Sequence, residues 1–288
     1  MTNNVNKPFE SSLVRTSMTY TERIISQIQK LTGQQQIILT SRCNAAILLA
    51  LKVAKQLGYS SVTIPDWGGW MTYEQFATKL KLPVHKIKTD DGQIDAKELK
   101  LTEKTILLLH SLAGYHWRLD TKEIAAAAKR DGALFVEDIC GSIGDGAETY
   151  GDIVVCSFGA AKPVNFGTGG FFATNTIALY SLANALLEPI DPETFDQQSL
   201  LDKLTPLNLS KRRTKLFTRR DEMRLLFEKA GFVCDGDSSA LVLIVPYSSE
   251  SQKAAIIGIC AASGIEYTEC PRYIRSGKRA ISVEIKRL

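Results

Sequence analysis

A single lysine, Lys162, stands in the run VVCSFGAAKPVNFGTGG, from Val154 to Gly170. An apolar strand ends at Ser157, a turn of small residues follows, and the lysine comes just before Pro163 and a glycine cluster. One strand earlier, Glu137-Asp138 closes another apolar run and leads into the small-residue loop ICGSIGDG. A lone lysine reads as a surface residue, and a lone Glu-Asp as a hydrogen-bonding strand end. Together, an amine presented from a tight turn and a carboxylate at the end of the neighbouring strand offer an activated amine, and the rest of the chain can be read as what positions it.

The positioning elements follow from hydrophobic periodicity. Tyr20–Leu31 has apolar residues at helical spacing and Gly33 as a stop. Strands are expected at Ile37–Thr40, Ser61–Pro65, Thr105–His110, Ala133–Asp138, Asp152–Phe158 and Phe171–Asn175. Between them lie an Ala/Leu-rich helix from about Asn44 to Leu57, the loop DWGGW with the helix MTYEQFATKL, and the helix Thr121–Arg130. IALYSLANALL reads as one more helix, and DDGQ as a turn. Strands apolar on both faces and separated by helices indicate a mostly parallel sheet covered on both sides, a three-layer α/β fold. Ligands of such sheets collect beyond the carboxyl ends of the strands, which gathers Ser41, Asp66, His110, Asp138 and Ser157 at one edge.

This reading divides the chain into an N-terminal arm and helix (1–35), a large α/β domain (36–190) and a small C-terminal α+β domain (200–288). The Pro-rich, acidic stretch Glu188–Asp202 is expected to link the last two. The small domain reads as a long basic helix (about Leu209–Ala230), a strand Ala240–Pro246, a helix SQKAAIIGICAASG and the strands IEYTE and RAISVEI.

At 288 residues the chain can bury a substantial core, and its apolar and charged fractions are those of an ordinary globular protein. A net charge of +4, with one basic cluster at Lys211–Arg220 read as the solvated side of a helix, does not argue for nucleic acid. The six cysteines show no Cys-x-x-Cys spacing and sit among apolar residues, so reduced, buried thiols and no metal site are expected. A polar N-terminus and the lack of a long apolar run lead to the expectation of a cytoplasmic protein without a membrane span.

Four landmarks occur in order along the large domain. They are TILLLHSLAG, LDTKEIAAAAKRDGALFVED, GDIVVCSFGAAK and GTGGFFAT. Their order and spacing resemble the fold-type-I pyridoxal-phosphate enzymes, nearest the DegT/StrS-type sugar aminotransferases, over roughly Gly33 to Asn175. The resemblance implies pyridoxal 5'-phosphate as cofactor, held by Lys162 as a Schiff base, with the lysine then shuttling a proton at the substrate carbon. It implies that Asp138 pairs with the pyridine nitrogen, that Ser157 supplies a hydroxyl to the phosphate, and that His110 ends a strand at the cofactor. TSRCNAAILLAL takes the place of the family's Ser-Gly-Thr-Ala-Ala-Leu, so Cys43 and Asn44 stand where Gly-Thr would be, with Asn44 also fit to cap the helix. Trp70 or Trp67 would cover the face of the ring, Trp70 being preferred.

Two departures bear on the substrate. The position three after the aspartate, Gln or His in the family, is Gly141, and the Gly-x-Asn-x-Arg segment that reaches a partner's site is not recognisable. The C-terminal domain is also short for the family. Fold-type-I enzymes acting on amino acids hold the substrate carboxylate with an arginine just before a late strand, which makes Arg279 the first candidate and Arg272 the second. The resulting expectation is an aminotransferase, a homodimer, using an amine donor and a keto acceptor that is an amino acid or a keto-sugar. Another pyridoxal-phosphate reaction (lyase, desulfurase or decarboxylase) and a non-catalytic pseudo-enzyme subunit remain the alternatives.

Overall fold

The computed structural model describes residues 18–187 and 196–288. Seven strands form the main sheet: β1 (Gln36–Thr40), β2 (Ser61–Pro65), β3 (Val84–Ile87), β4 (Thr105–His110), β7 (Leu134–Asp138), β8 (Ile153–Ser157) and β9 (Gly170–Thr174). Their spatial order is β1-β9-β8-β7-β4-β2-β3. All neighbours from β8 to β3 are parallel, and β9 alone runs against its two partners, β8 and β1. The mixed α/β class with a mostly parallel sheet is therefore what the strand pattern predicts.

Alternation along each buried strand shows why both faces must be covered. In β4, Ile106 and Leu108 join one core cluster while Leu107 and Leu109 join another; in β8, Val155 faces one way and Val154 and Cys156 the other. The first face carries α2 (Cys43–Gln56), α3 (Thr72–Lys79) and α5 (Ile177–Leu186). The opposite face carries α1 (Tyr20–Thr32), α4 (Thr121–Arg130) and α6 (Gln197–Leu204). Local signals set the helix starts: Thr19 and Glu22 form a capping box on α1, and the Asp120 carboxylate caps α4.

Helix α6 begins inside the stretch expected to be a linker. Asp196 caps it, and Leu200, Leu201 and Leu204 bury against α1. The linker expectation for Gln197–Asp202 is thus corrected, because three leucines at helical spacing give that segment an apolar face to bury; 188–195 lie outside the described residues, as does the arm over 1–17.

Helix α7 (Pro206–Lys229) leads into a separate antiparallel sheet of β10 (Leu243–Pro246), β12 (Ser276–Val283) and β11 (Tyr267–Arg272), backed by α8 (Glu250–Ala262). The basic cluster on α7 is not simply a solvated face. Arg213 and Arg220 are buried; the Arg213 guanidinium donates to the carbonyls of Gly141 and Ile143 at 3.2 and 3.3 Å, pinning the loop that follows Asp138. A short hairpin of β5 (Leu112–Ala113) and β6 (Trp117–Arg118), absent from the sequence reading, carries Tyr115 at its tip. All six cysteines are free and buried. Among the described residues no helix is long and apolar enough to cross a membrane.

Candidate active site

The carboxyl ends of β4, β7 and β8 bring the expected polar residues together. His110 and Asp138 are register partners, and Asp138 pairs with Val155, two residues before Ser157. Beyond Ser157 the chain makes a closed loop: Phe166 and Gly167 both donate to the Phe158 carbonyl, at 2.8 and 2.9 Å. Within it, Ala161 and Asn165 adopt left-handed backbone, φ 59° and 44°, and the Asn165 side chain accepts from the Ala161 amide at 3.1 Å. Non-glycine residues held at positive φ mark a backbone fixed by its surroundings, and this one presents the next residue, Lys162.

The Lys162 amine points at the hydroxyl of Tyr115, with which it is hydrogen-bonded, and lies 5.6 Å from the ring centre of Trp70. Burial alone would pull the lysine down, but Tyr115, Cys140 and Asp138 outweigh it and hold its pKa above the ordinary value. Asp138 is buried, accepts from the Tyr73 hydroxyl at 2.7 Å and from the Cys140 amide at 2.9 Å, and has no cation within ion-pair distance among the described residues. Burial, then the neighbouring Cys140, pushes its carboxyl well above the usual range, against the Tyr73 bond. The His110 ring is bonded through Nδ1 to the Leu112 carbonyl, which can only accept, so Nδ1 carries the proton and Nε2 is a bare acceptor. That Nε2 is buried without a partner, and burial, aided by Lys162 and Arg275, holds the imidazole down at about 4.

Helix α2 starts at Cys43 after Arg42, and no side chain caps it. Asn44 is therefore not the cap. Its side-chain oxygen instead accepts from the Trp70 indole at 3.0 Å and from the Thr72 hydroxyl at 3.4 Å. Gly170 joins this helix start to Ser157: it pairs with Ser157 across β8 and β9, and a Cβ built on it would lie 2.9 Å from the Cys43 nitrogen. The Ser157 hydroxyl accepts the Gly159 amide at 3.1 Å. An uncapped helix N-terminus beside a hydroxyl is a place for an anion. The Cys43 and Cys140 sulfurs are 3.4 Å apart, and with a carboxylate oxygen of Asp138 they lie within 4.8 Å of one another, a cluster that the wide spacing of these residues in the chain hid.

Several expected residues are not brought here. Trp67 packs over Gly277 of β12 and lines a surface groove with Met71, Glu74 and Tyr273. Asp66 turns to Thr89, accepting from its amide and hydroxyl. Arg279 is 54% exposed and paired with the exposed Glu250, and Arg272 is exposed. The expectation of a carboxylate clamp at either is corrected: Arg279 lies in an exposed stretch of β12 with Lys278, and Arg272 at the exposed, irregular end of β11. The arginine of this segment that faces the site is Arg275, buried, bidentate to Glu284 at 2.8 Å through both nitrogens, and 5.2 Å from the ring centre of Tyr115. Tyr73, Tyr115, Arg275 and Lys286 were all missed. The signal for Tyr73 was its place three residues after Trp70 on a helix, and for Tyr115 its place directly after Gly114.

The geometry can be set beside known proteins. A family model described as the DegT/DnrJ/EryC1/StrS aminotransferase family matches residues 1–190, about two thirds of the chain. The chain belongs to this family. Solved structures with the same fold include the sugar aminotransferase CalS13 from Micromonospora echinospora, at 16% identity over 94% of this chain and 87% of that one, TM-score 0.65. A DegT/DnrJ/EryC1/StrS aminotransferase from Brucella abortus matches at 17% identity over 93% and 85%, TM-score 0.69. NtdA from Bacillus subtilis, solved with bound cofactor PMP, matches at 16% over 94% and 74%, TM-score 0.67. No curated protein matches by sequence search. For an aminotransferase of this family, the residues of the site fit a group with a phosphate, a flat ring and a basic ring nitrogen: an uncapped helix start, an indole 5.6 Å from the lysine, and a buried carboxyl without a cation.

Proposed function

We propose that the chain is a pyridoxal-phosphate-dependent aminotransferase that works through Lys162, moving an amino group from an amine donor to a keto acceptor. The observation that carries this reading is Asp138: a buried carboxyl, with no cation within ion-pair distance among the described residues, at the carboxyl end of a central strand and next to the strand that presents Lys162, whose amine it feels from further off. Burying such a group costs free energy unless a cation meets it.

Pyridoxal phosphate would supply an aldehyde that takes up the amino group and a protonated ring that draws electrons from the substrate carbon. Lys162 would hold it covalently at Nζ and, once released, carry a proton to and from that carbon. Asp138 would keep the ring nitrogen protonated, with Tyr73 and the Cys140 amide fixing the orientation of its carboxylate. Ser157 and the start of α2 at Cys43 and Asn44 would hold the phosphate, and Trp70, steadied by Asn44, would cover one face of the ring. His110, neutral down to about 4, would offer its bare Nε2 as an acceptor without adding charge.

Both an amino acid and a keto-sugar stay within this reading as substrates. Homodimeric assembly and a cytoplasmic location go with it, the second supported by six free, buried thiols. Borohydride treatment of the cofactor-loaded protein followed by peptide mass analysis tests the central claim. A phosphopyridoxyl mass on the peptide containing Lys162, lost in Lys162→Ala, supports it. Absence of cofactor absorbance, or the mass on another lysine, overturns it.

A further inference from the structure

The hairpin tip that carries Tyr115 is built to deliver one phenol to Lys162, and it is held there at a cost. Tyr115 has left-handed backbone, φ 67°, directly after Gly114 at φ 57°. For a bulky residue that is a true outlier, kept only where the surroundings over-determine it. The surroundings come from both parts of the molecule. Gly114 donates to the Gly68 carbonyl at 2.9 Å, and the Tyr115 carbonyl accepts from Leu241 and Val242, at 2.8 and 3.3 Å, at the approach to β10.

The ring is buried in an apolar cluster with Leu112, Leu241 and Val242, and polar groups also stand against it. The His110 ring stands 4.6 Å away, centre to centre, and the Arg275 guanidinium and the Lys286 amine stand 5.2 and 5.0 Å from the ring centre. The place it occupies is also telling. A Cβ built on Gly141 would come within 2.9 Å of His110 Cε1, 3.0 Å of Tyr115 Cδ1 and 3.1 Å of Leu112 Cδ2, so these two rings and Leu112 fill the space that any side chain at 141 would enter.

We propose that Tyr115 is a catalytic residue of this site, its hydroxyl holding the Lys162 amine in both protonation states, from the space left open by Gly141. A phenol suits that task because it both accepts and donates. When Lys162 is an ammonium, the phenol oxygen accepts its N–H; when Lys162 is a neutral amine, the phenol O–H donates to the nitrogen lone pair. No bond to the hydroxyl is broken in either state, so the amine keeps its place as its proton leaves and returns. Burial holds the Tyr115 hydroxyl up at about 12, opposed by Lys162, so the phenol remains a donor across the neutral range. The groups that face the pair are His110, Cys140, Asp138 and, from the small domain, Arg275 and Lys286 with their carboxylate partner Glu284.

This inference rests on Lys162 being the attachment amine, and its first test works without the cofactor. Cofactor-free protein is labelled with trace acetic anhydride across pH, and the mass-resolved label on the Lys162 peptide gives the titration of that amine. Tyr115→Phe keeps the ring against His110 and Arg275 and removes only the oxygen. Because the bond to the ammonium is charge-assisted and the stronger of the two, its loss lowers the lysine pKa. A drop of about one unit is expected to label Lys162 about tenfold faster at pH 8. An unchanged profile in a variant with unchanged circular dichroism overturns the proposal.

A second measurement follows absorbance of the cofactor-loaded proteins against pH. A displaced titration midpoint in Tyr115→Phe supports the role, and coincident curves for the two proteins count against it. If borohydride places the cofactor elsewhere, the function proposed above fails while the labelling result still stands, so the two failures are distinguishable.

Discussion

The indole nitrogen of Trp70 donates to the side-chain oxygen of Asn44 at 3.0 Å, tying the loop after β2 to the first turn of α2. This bond joins the residue that would cover the ring to the helix start that would hold the phosphate. Trp70→Ala removes the flat face and is expected to weaken cofactor binding about tenfold, roughly 1.4 kcal/mol. Asn44→Ala leaves the indole in place but unsteadied, and a loss of about threefold is expected. Trp67→Ala, on the groove against Gly277, should leave cofactor affinity unchanged. Quenching of intrinsic fluorescence on titration with pyridoxal phosphate measures all three.

Asp138 predicts opposite effects in the empty and the loaded protein. Its carboxyl is held well above the usual range by burial and then by Cys140. The folded state therefore keeps a proton that the unfolded state releases, and stability of the cofactor-free protein falls as pH rises from about 4. Asp138→Asn removes that loss while keeping both hydrogen bonds, its oxygen accepting from Cys140 and its amide donating to Tyr73. Cofactor-free Asp138→Asn is expected to be more stable at pH 7 than the parent, on the order of 2 kcal/mol, and less so at pH 4. Turnover of the loaded variant should drop about 100-fold or more. Thermal melts at the two pH values, with an aminotransfer assay, check both halves.

Two glycines should respond in opposite directions to the same substitution. A Cβ on Gly170 would clash with the Cys156 carbonyl oxygen and meet the Cys43 nitrogen at 2.9 Å, both backbone atoms that cannot swing aside. Gly170→Ala is expected to destabilise by about 2 kcal/mol or more and to disturb the start of α2. Gly258, exposed within α8, has nothing within 4 Å of its Cβ position. Gly258→Ala should stabilise by about 0.5–1 kcal/mol through helix propensity. Denaturant midpoints of the two variants give the comparison.

What was legible in the sequence were the parts that local rules govern. Unbroken apolar runs such as Thr105–His110 betray buried parallel strands, and the same strands end at His110, Asp138 and Ser157 because polar residues belong where the sheet meets the site. Residues set by tertiary approach were hidden. Tyr115 sits on a two-strand hairpin too short to show a period, and Arg275 lies in the turn between β11 and β12, where no strand or helix period says which way a side chain points. The close approach of that turn to the Tyr115 ring is set by tertiary packing alone. Arg213 and Arg220 were hidden likewise, since a basic helix reads as solvated until the carbonyls it binds are known.

Lys286 supplies a pH dependence of stability with a definite sign. The side chain is buried, with the like charge of Arg275 near it and Glu284 as its partner at 3.5 Å; burial first, then Arg275, pulls its amine down to about 7. The unfolded chain keeps that proton up to about 10.4. Between those two values the unfolded state binds more protons than the folded one, so this residue makes stability rise with pH from about 7 to about 10. Below 7 the ammonium is present in both states and its burial penalty is constant. Lys286→Met, which leaves the Arg275–Glu284 pair intact, is therefore expected to stabilise the protein at pH 6, on the order of 1–3 kcal/mol, with the gain shrinking toward zero near pH 10. Urea unfolding of parent and variant at pH 6, 8 and 10 measures it. A gain that stays constant or grows with pH would place the proton on some other group.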